Sequence, residues 1–449
     1  MTILFIHQNF PAQYLHLVRH LATRKRWRVY FVTQNQQNEI PHVRKLLYKP
    51  ELPLFSSCHS YTATFDVAIR TGMAVAEVCR QMRSRGIVPD IVVGHCGWGE
   101  TLFIKEVFPD VPLLSYFEFF YHCRGADVGF DPEFAPHNDG DGARLQIRNA
   151  VNHLSFAASD WGHTATRWQR SLFPAAMQAR ITALHEGVDT RKIKPDSSAW
   201  ITLARDKLAL TRKDEVITYI SRNLEPYRGF HIFMRALPEI LRRRPRAHAL
   251  IVGGDGYSYG EPPASGGTFR QMLLEEVGDS LDLDRVHFLG QIPYTTYVNI
   301  LQISSVHIHL SYPFVLSWSF IEALAAGCAL ISSETAPVLE VLRHRQNGLL
   351  VDFFSIDEIC DCVDEILDDP DRMQPMRDAA RATAVESFDT RLVTLPRWEK
   401  LLEELIEHRF PAAQPPDPGL ATQGEPLLSR RGTRLRKARD SRGRRVRLG

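Results

Sequence analysis

Short apolar runs, rich in β-branched residues, alternate along the chain with longer segments whose apolar residues recur every three to four positions. In the first half, strand-like runs fall at 3–6, 28–32, 90–93 and 112–116. Helix-like stretches fall at 12–22, 66–83 and 101–107, the first with Leu15, Val18, Leu21 and Ala22 on one stripe. Runs that are apolar throughout and separated by helices predict parallel βαβ units buried on both faces. The polar segment 125–141 reads as a loop, and 145–158 as helical. The rhythm then restarts, with strands at 216–220, 247–252, 286–288, 306–310 and 329–332. Helices at 229–242, 269–277, 295–303 and 317–326 separate them, and a last long helix covers 390–408.

This pattern predicts an α/β protein of two doubly wound, Rossmann-like domains facing each other across a cleft. The boundaries read as 1–190 and 191–388, then a C-terminal helix at 389–410 and a disordered basic tail at 411–449. Gly187, Pro195 and their polar neighbours supply the link between the halves. In such sheets ligands bind beyond the carboxyl ends of the strands, where the strand order reverses.

Composition adds little except in charge and cysteine. The 449 residues are 44% hydrophobic and 24% charged, which excludes a mostly disordered chain or a disulfide miniprotein. The net charge of +2 hides an uneven spread: residues 430–449 carry +9 and the rest −7. Seven scattered cysteines without a CxxC pair predict reduced, mostly buried thiols and a cytoplasmic setting. With no basic leader and no apolar run of spanning length, any membrane contact is expected from the surface.

Three segments carry chemistry. In Ser221-Arg222-Asn223-Leu224-Glu225-Pro226-Tyr227-Arg228-Gly229, Arg222 follows a strand and Arg228 enters a helix. Two guanidinium groups beside free helix N–H groups suit a diphosphate, although two surface arginines in a loop read the same way. In Phe314-Val-Leu-Ser317-Trp318-Ser-Phe-Ile-Glu322, Glu322 sits in an otherwise apolar helix. Its carboxylate needs hydrogen-bond partners there, which a pair of ribose hydroxyls would supply; a solvent-facing glutamate is the plainer reading. The turn Gly253-Gly254-Asp255-Gly256 is weak by itself. The absence of GxGxxG after the first strand and of GxxxxGK[ST] argues against a nicotinamide dehydrogenase and a P-loop kinase. Asp139-Gly-Asp141 matches the DxD of metal-dependent sugar transferases only weakly, and no His/Cys cluster has zinc spacing.

Taken in order, Ser221-Arg222…Arg228-Gly229, Gly253–Gly256, Val286-x-Phe288-Leu-Gly290, Glu322-Ala-x-Ala-x-Gly327 and Glu340…Asn347-Gly resemble the family 4 glycosyltransferases of the GT-B fold. The segment 161–174 resembles that family's pre-hinge helix, and Glu186-Gly-Val-Asp189 its hinge. The resemblance implies a retaining, metal-independent transfer of sugar from a nucleotide-diphosphate donor to a glycan or lipid-linked acceptor, with no cofactor. It places Arg222 and Arg228 on the diphosphate, Arg228 standing where lysine is usual. It places Glu322 on the ribose, Ser317 and Trp318 in the loop facing sugar and phosphate, and Glu340 near the donor. The turn at Gly254 and the loop before Gly290 fall at the donor, the latter at the nucleobase. Glu118 and His95, each after a strand end of the first half, are candidates for holding a sugar hydroxyl or steering the acceptor. Two departures stand out: Phe314 replaces the first glutamate of the E-x7-E pattern, and Asn9-Phe10-Pro11 replaces the first-strand glycine pair.

Two other readings remain: a nucleotide-sugar 2-epimerase on the same fold, and a non-catalytic scaffold that binds nucleotide sugar or glycan. The tail is expected to meet an anionic membrane surface, or simply water, and no specific nucleic acid. Acceptor recognition is expected from the loops 41–64 and 125–142.

Overall fold

The computed structural model describes residues 1–51, 59–134, 142–203, 208–413 and 415. Asp139, Asp141, Cys58 and nearly all of the basic tail lie outside the described residues.

The first sheet has seven parallel strands: β1 (Thr2–Ile6), β2 (Arg28–Thr33), β3 (Val43–Leu47), β4 (Ile91–His95), β5 (Leu113–Tyr116), β6 (Trp161–Thr164) and β7 (Ile181–Ala183). Their spatial order is β3-β2-β1-β4-β5-β6-β7, so the order reverses between β1 and β4. A small antiparallel hairpin, β8 (Trp200–Leu203) and β9 (Leu208–Thr211), follows. The second sheet contains β10 (Val216–Asn223), β11 (His248–Gly254), β12 (Val286–Gly290), β13 (Val306–His309), β14 (Leu330–Ser333) and β15 (Leu349–Val351). Its parallel order is β12-β11-β10-β13-β14-β15, reversing between β10 and β13. This is the architecture of two doubly wound lobes.

Both faces of each sheet are covered, and the period of two along each strand sorts the side chains. On β1, Ile3 and Phe5 pack with Leu17, Val18 and Leu21 of helix Leu15–Ala22. Leu4 and Ile6 turn to the opposite face, against Val75, Cys79 and Met82 of helix Ala63–Ser84. On β10, Ile217 and Tyr219 meet helix Phe230–Arg243, while Val216 and Ile220 join the core under helix Trp318–Ala326. Such strands have no polar face, which is why they read as continuous apolar runs.

The chain passes between the lobes twice. Val188 N donates to Phe388 O (2.8 Å), and Thr390 N donates to Val188 O (2.9 Å), so the two crossings run side by side. Gly187 makes this possible: its φ is +86°, and a Cβ there would lie 2.4 Å from Thr394 Oγ1. After the second crossing, helix Leu395–Ile406 returns to the first lobe and buries Trp398, Leu401, Leu402 and Leu405 against β1 and β2 residues.

Several expected elements change. The segment 161–174 begins with strand β6, and only Arg167–Ser171 is helical, because Gly162 and Thr164 lie in a parallel ladder beside β5 and β7. The helix expected at 101–107 shrinks to Ile104–Val107, and the one at 390–408 opens with a π-helical turn, Thr390–Thr394. Residues 125–134 of the expected acceptor loop are not free. Phe130 packs on Tyr312 and Phe353 of the second lobe, at ring separations of 5.0 and 5.2 Å.

Candidate active site

The two points of strand-order reversal hold the polar chemistry. In the first lobe, His7 follows β1 and His95 ends β4, their rings 4.9 Å apart. Each ring accepts a backbone N–H at Nδ1: Asn9 N at 2.8 Å for His7 and Gly97 N at 3.1 Å for His95. That leaves Nε2 of both neutral rings carrying the proton. His95 Nε2 thus faces Glu118 Oε2 at 3.5 Å, while Gln13 Nε2 donates to Glu118 Oε1 at 3.1 Å. Burial lowers the His7 pKa well below its ordinary value, reinforced by His95. The neighbouring Glu100, buried among backbone N–H groups, is raised to about 7 by burial. Trp98 stacks on His95 at 4.2 Å and is 38% exposed, forming a wet aromatic edge.

In the second lobe, β10 extends to Asn223 with a register shift after Ile220, so Arg222 lies on the irregular strand end with an exposed side chain. Arg228 is buried. Its Nη1 donates to Ser311 Oγ, just beyond β13, at 2.8 Å, and its guanidinium lies 5.3 Å from the Tyr259 ring centre. Gly229 supplies the turn between Arg228 and the next helix: its φ is +68°, and a Cβ would meet Leu310 Cβ at 2.3 Å. The turn Gly253–Gly256 lies on the Arg222 loop. Gly254 O accepts from Leu224 N at 2.8 Å, and a Cβ on Gly254 would approach Asn223 Oδ1 to 2.8 Å. Glu225, 1% exposed, holds the following loop through N–H groups of Ser258 and Tyr259, both at 3.1 Å. Gly290 closes β12 with φ +63° and open space where a Cβ would stand.

Helix Trp318–Ala326 carries the remaining donor-side residues. Ser317 is its N-cap, its Oγ accepting from Ser319 N at 3.3 Å. Trp318, 44% exposed, opens the first turn. Its side chain and that of Tyr116 partly offset the burial that lifts the Glu186 carboxyl to about 7. Glu322 is already partnered: Tyr294 O–H donates to Oε1 at 2.8 Å and Tyr297 O–H to Oε2 at 2.5 Å. Burial nevertheless raises its pKa, the two tyrosines opposing that shift. Glu340 accepts from the N–H groups of Arg167 (3.0 Å) and Trp168 (2.8 Å), capping a first-lobe helix from the second lobe.

Phe314 is not a void left by a missing carboxylate. It is 6% exposed and packs on Phe119 (4.7 Å), Tyr259 (4.9 Å) and Tyr227 (5.3 Å), joining the lobes. Polar contacts run alongside. Tyr227 O–H donates to Asp127 Oδ2 at 3.0 Å and Tyr312 O–H to Asp131 Oδ2 at 2.7 Å. Asp131, Glu133 and His231 are the group among the described residues whose atoms could surround a metal ion. Both carboxylates there already serve protein donors, Asp131 with Tyr312 and Glu133 with Arg235.

The structure therefore joins His95 with Glu118, and Arg228 with the strand end beyond β13. Sequence reasoning missed Gln13, Tyr294 and Tyr297, and named the loop 125–142 without the bonds that Asp127 and Asp131 make to the second lobe. The spacing Tyr294-x-x-Tyr297 puts both rings on one helix face and was the one available signal.

Residues 25–193 match the family model described as glycosyl transferase family 4 group, and residues 201–383 the one described as glycosyl transferases group 1. A GDP-mannose-dependent alpha-(1-6)-phosphatidylinositol monomannoside mannosyltransferase of Mycobacterium tuberculosis is 28% identical over 276 residues, covering 58% of this chain and 62% of the relative. A D-inositol 3-phosphate glycosyltransferase of Rhodococcus jostii is 26% identical over 231 residues, covering 51% of this chain and 46% of the relative. The chain thus spans less than two thirds of the length of these relatives. Among solved structures, sucrose-phosphate synthase from Thermosynechococcus elongatus superposes with a TM-score of 0.68 at 16% identity, covering 91% of this chain and all of that one. HepE from Anabaena, solved with UDP and glucose, gives 0.62 at 17% identity over 90% of this chain and all of that one. The chain belongs to the family 4, group 1 glycosyltransferases and has their GT-B fold.

Proposed function

We propose that this protein moves a sugar from a nucleoside-diphosphate donor to a hydroxyl of an inositol- or lipid-linked glycan, with retention at the anomeric carbon. The observation that carries the reading is Arg228, held by Ser311 across the strand-order reversal of the second sheet. The relatives' names support a nucleotide-sugar donor and an inositol-containing acceptor.

Departure of a nucleoside diphosphate builds negative charge on the bridging oxygen and positive charge on the sugar. Arg228 offers a fixed, partly desolvated charge, and Arg222 an exposed one, assigned in this reading to the outer phosphate. The N–H groups at the start of helix Trp318–Ala326 add dipole stabilisation. In this reading the guanidinium groups neutralise the leaving group and no metal ion is assigned that task. Glu118 is oriented by Gln13 and His95, and accepts a hydrogen bond from a sugar or acceptor hydroxyl. Lobe contact around Phe314 excludes water, which favours transfer over hydrolysis.

No helix among the described residues is long and apolar enough to cross a membrane. The same reading places the protein at the cytoplasmic face of a membrane, with the basic tail on anionic lipid. Salt-dependent binding to anionic vesicles, lost on removing residues 411–449, tests that part.

Incubation with radiolabelled GDP-mannose and UDP-glucose tests the activity. Transfer to an inositol glycolipid, or slow release of free sugar, is expected. Return of an altered nucleotide sugar would favour an epimerase, and no product with either donor would favour a scaffold.

A further inference from the structure

Glu322 sits on an apolar helix and has no cationic partner among the described residues; both of its oxygens are held by tyrosine hydroxyls. The two tyrosines differ sharply. Tyr297 is 9% exposed and packed in the core under the helix, so it is a fixture. Tyr294 is 55% exposed, yet its hydroxyl is tied to Glu322 Oε1 at 2.8 Å. It is the first residue of helix Tyr294–Ile303, directly after Pro293, and its ring stacks on Tyr297 at 5.6 Å, so a change of its rotamer gives up that contact along with the bond to Glu322. Arg19 of the first lobe and Asp189 of the hinge are near enough to act on its hydroxyl electrostatically.

A phenolic O–H and a ribose O–H make the same kind of bond to a carboxylate: one short, charge-assisted donor. A half-buried carboxylate left without donors is costly, so an exposed tyrosine that donates to it satisfies it until a ligand's hydroxyl takes its place. We propose that Tyr294 is a placeholder for a donor ribose hydroxyl on Glu322, a positioning residue that swings out when a nucleotide binds. The inference rests on the nucleotide-sugar reading above. Tyr297 keeps its bond throughout and holds the carboxylate in place, so the exchange concerns Oε1 alone.

Placeholding has a consequence that ordinary binding contacts lack: deleting the hydroxyl tightens the ligand. In the empty Tyr294→Phe protein, Glu322 Oε1 loses a competing donor that the ribose otherwise has to displace. Affinity for a ribonucleotide then rises by roughly ten- to a hundredfold, the range for one hydrogen bond to a charged group.

The test is isothermal titration of the full chain and its Tyr294→Phe variant with GDP, UDP, 2′,3′-dideoxy-GDP, 2′,3′-dideoxy-UDP and inorganic pyrophosphate. Tighter binding of the preferred ribonucleotide by Tyr294→Phe, with pyrophosphate and the dideoxy ligand unchanged, supports the exchange. Equal or weaker ribonucleotide binding overturns it, because Tyr294 then contributes nothing or makes a contact of its own. An equal gain for the dideoxy ligand also overturns it, since no hydroxyl exchange is then involved. If neither nucleotide nor pyrophosphate binds the parent chain, the diphosphate site itself is refuted and the inference falls with it. If pyrophosphate binds but Tyr294→Phe changes nothing, only the placeholder fails.

Discussion

Arg228 and Ser311, 83 residues apart, meet at 2.8 Å across the gap between the ends of β10 and β13. The strand order reverses there, so the loops after the two strands diverge and leave a crevice. Arg222 comes from the same loop but reaches solvent. The account assigns it the outer charge of a diphosphate. Arg222→Ala is expected to cut turnover by two to three orders of magnitude, about 3–4 kcal/mol of barrier, with an unchanged thermal midpoint. Near-normal turnover would refute the assignment.

Glu340 allows a structural role and a donor role to be told apart. It caps helix Arg167–Ser171 from the other lobe through two backbone N–H groups. Glu340→Ala is expected to cost about 1–2 kcal/mol of stability, the range for a lost cap, while KM for the donor stays within twofold. Raised donor KM with intact stability in chemical denaturation would return Glu340 to the donor site.

Phe314 occupies a position where the family has a carboxylate, and it joins the lobes through Phe119, Tyr227 and Tyr259. Phe314→Ala is expected to destabilise the fold by about 3 kcal/mol, as for other buried aromatic truncations, and Phe314→Glu by more, because an unpaired charge is then buried. A glutamate that leaves the denaturation midpoint unchanged would show the site to be open to water.

Glu186 gives the protein a pH dependence of known sign. Burial raises its folded pKa from 4.5 to about 7. Between those values the folded state keeps a proton that the unfolded chain has lost, so this group's contribution to stability is full below about pH 4.5 and is lost as pH rises toward 7. The slope is about 1.4 kcal/mol per pH unit for one such group. Relative to the parent, Glu186→Gln is expected to lose that one group's share of the fall, about 1.4 kcal/mol per pH unit across this window. A slope equal to that of the parent would place the shift elsewhere, with Glu100 the next group in line, since it is raised to about 7 as well.

Much of the fold was legible because doubly buried parallel strands print uninterrupted apolar runs, as β1 does at Ile3–Ile6 and β11 at Ala249–Val252. The misses have the opposite character. Strand β3 is Val-Arg-Lys-Leu-Leu at a sheet edge, with no residue fully buried, and β6 is Trp-Gly-His-Thr, with no aliphatic residue. Neither pattern differs from a loop when read alone. In the site, His95 and Glu118 could each be suspected from their strand ends, but their pairing required the sheet order. The helix cap made by Glu340 was invisible because its partners lie 173 and 172 residues away. Tyr294 and Tyr297 show their meaning only once Glu322 is placed beside them.

The central claim is that Arg222 and Arg228 bind a nucleotide's pyrophosphate in the crevice between the lobes. Calorimetric titration of GDP and UDP into the parent chain and the Arg222→Ala/Arg228→Ala double variant tests it most directly. The account predicts that one nucleotide binds the parent and that its affinity drops at least a hundredfold in a double variant that remains folded. Unchanged affinity in that variant would contradict it.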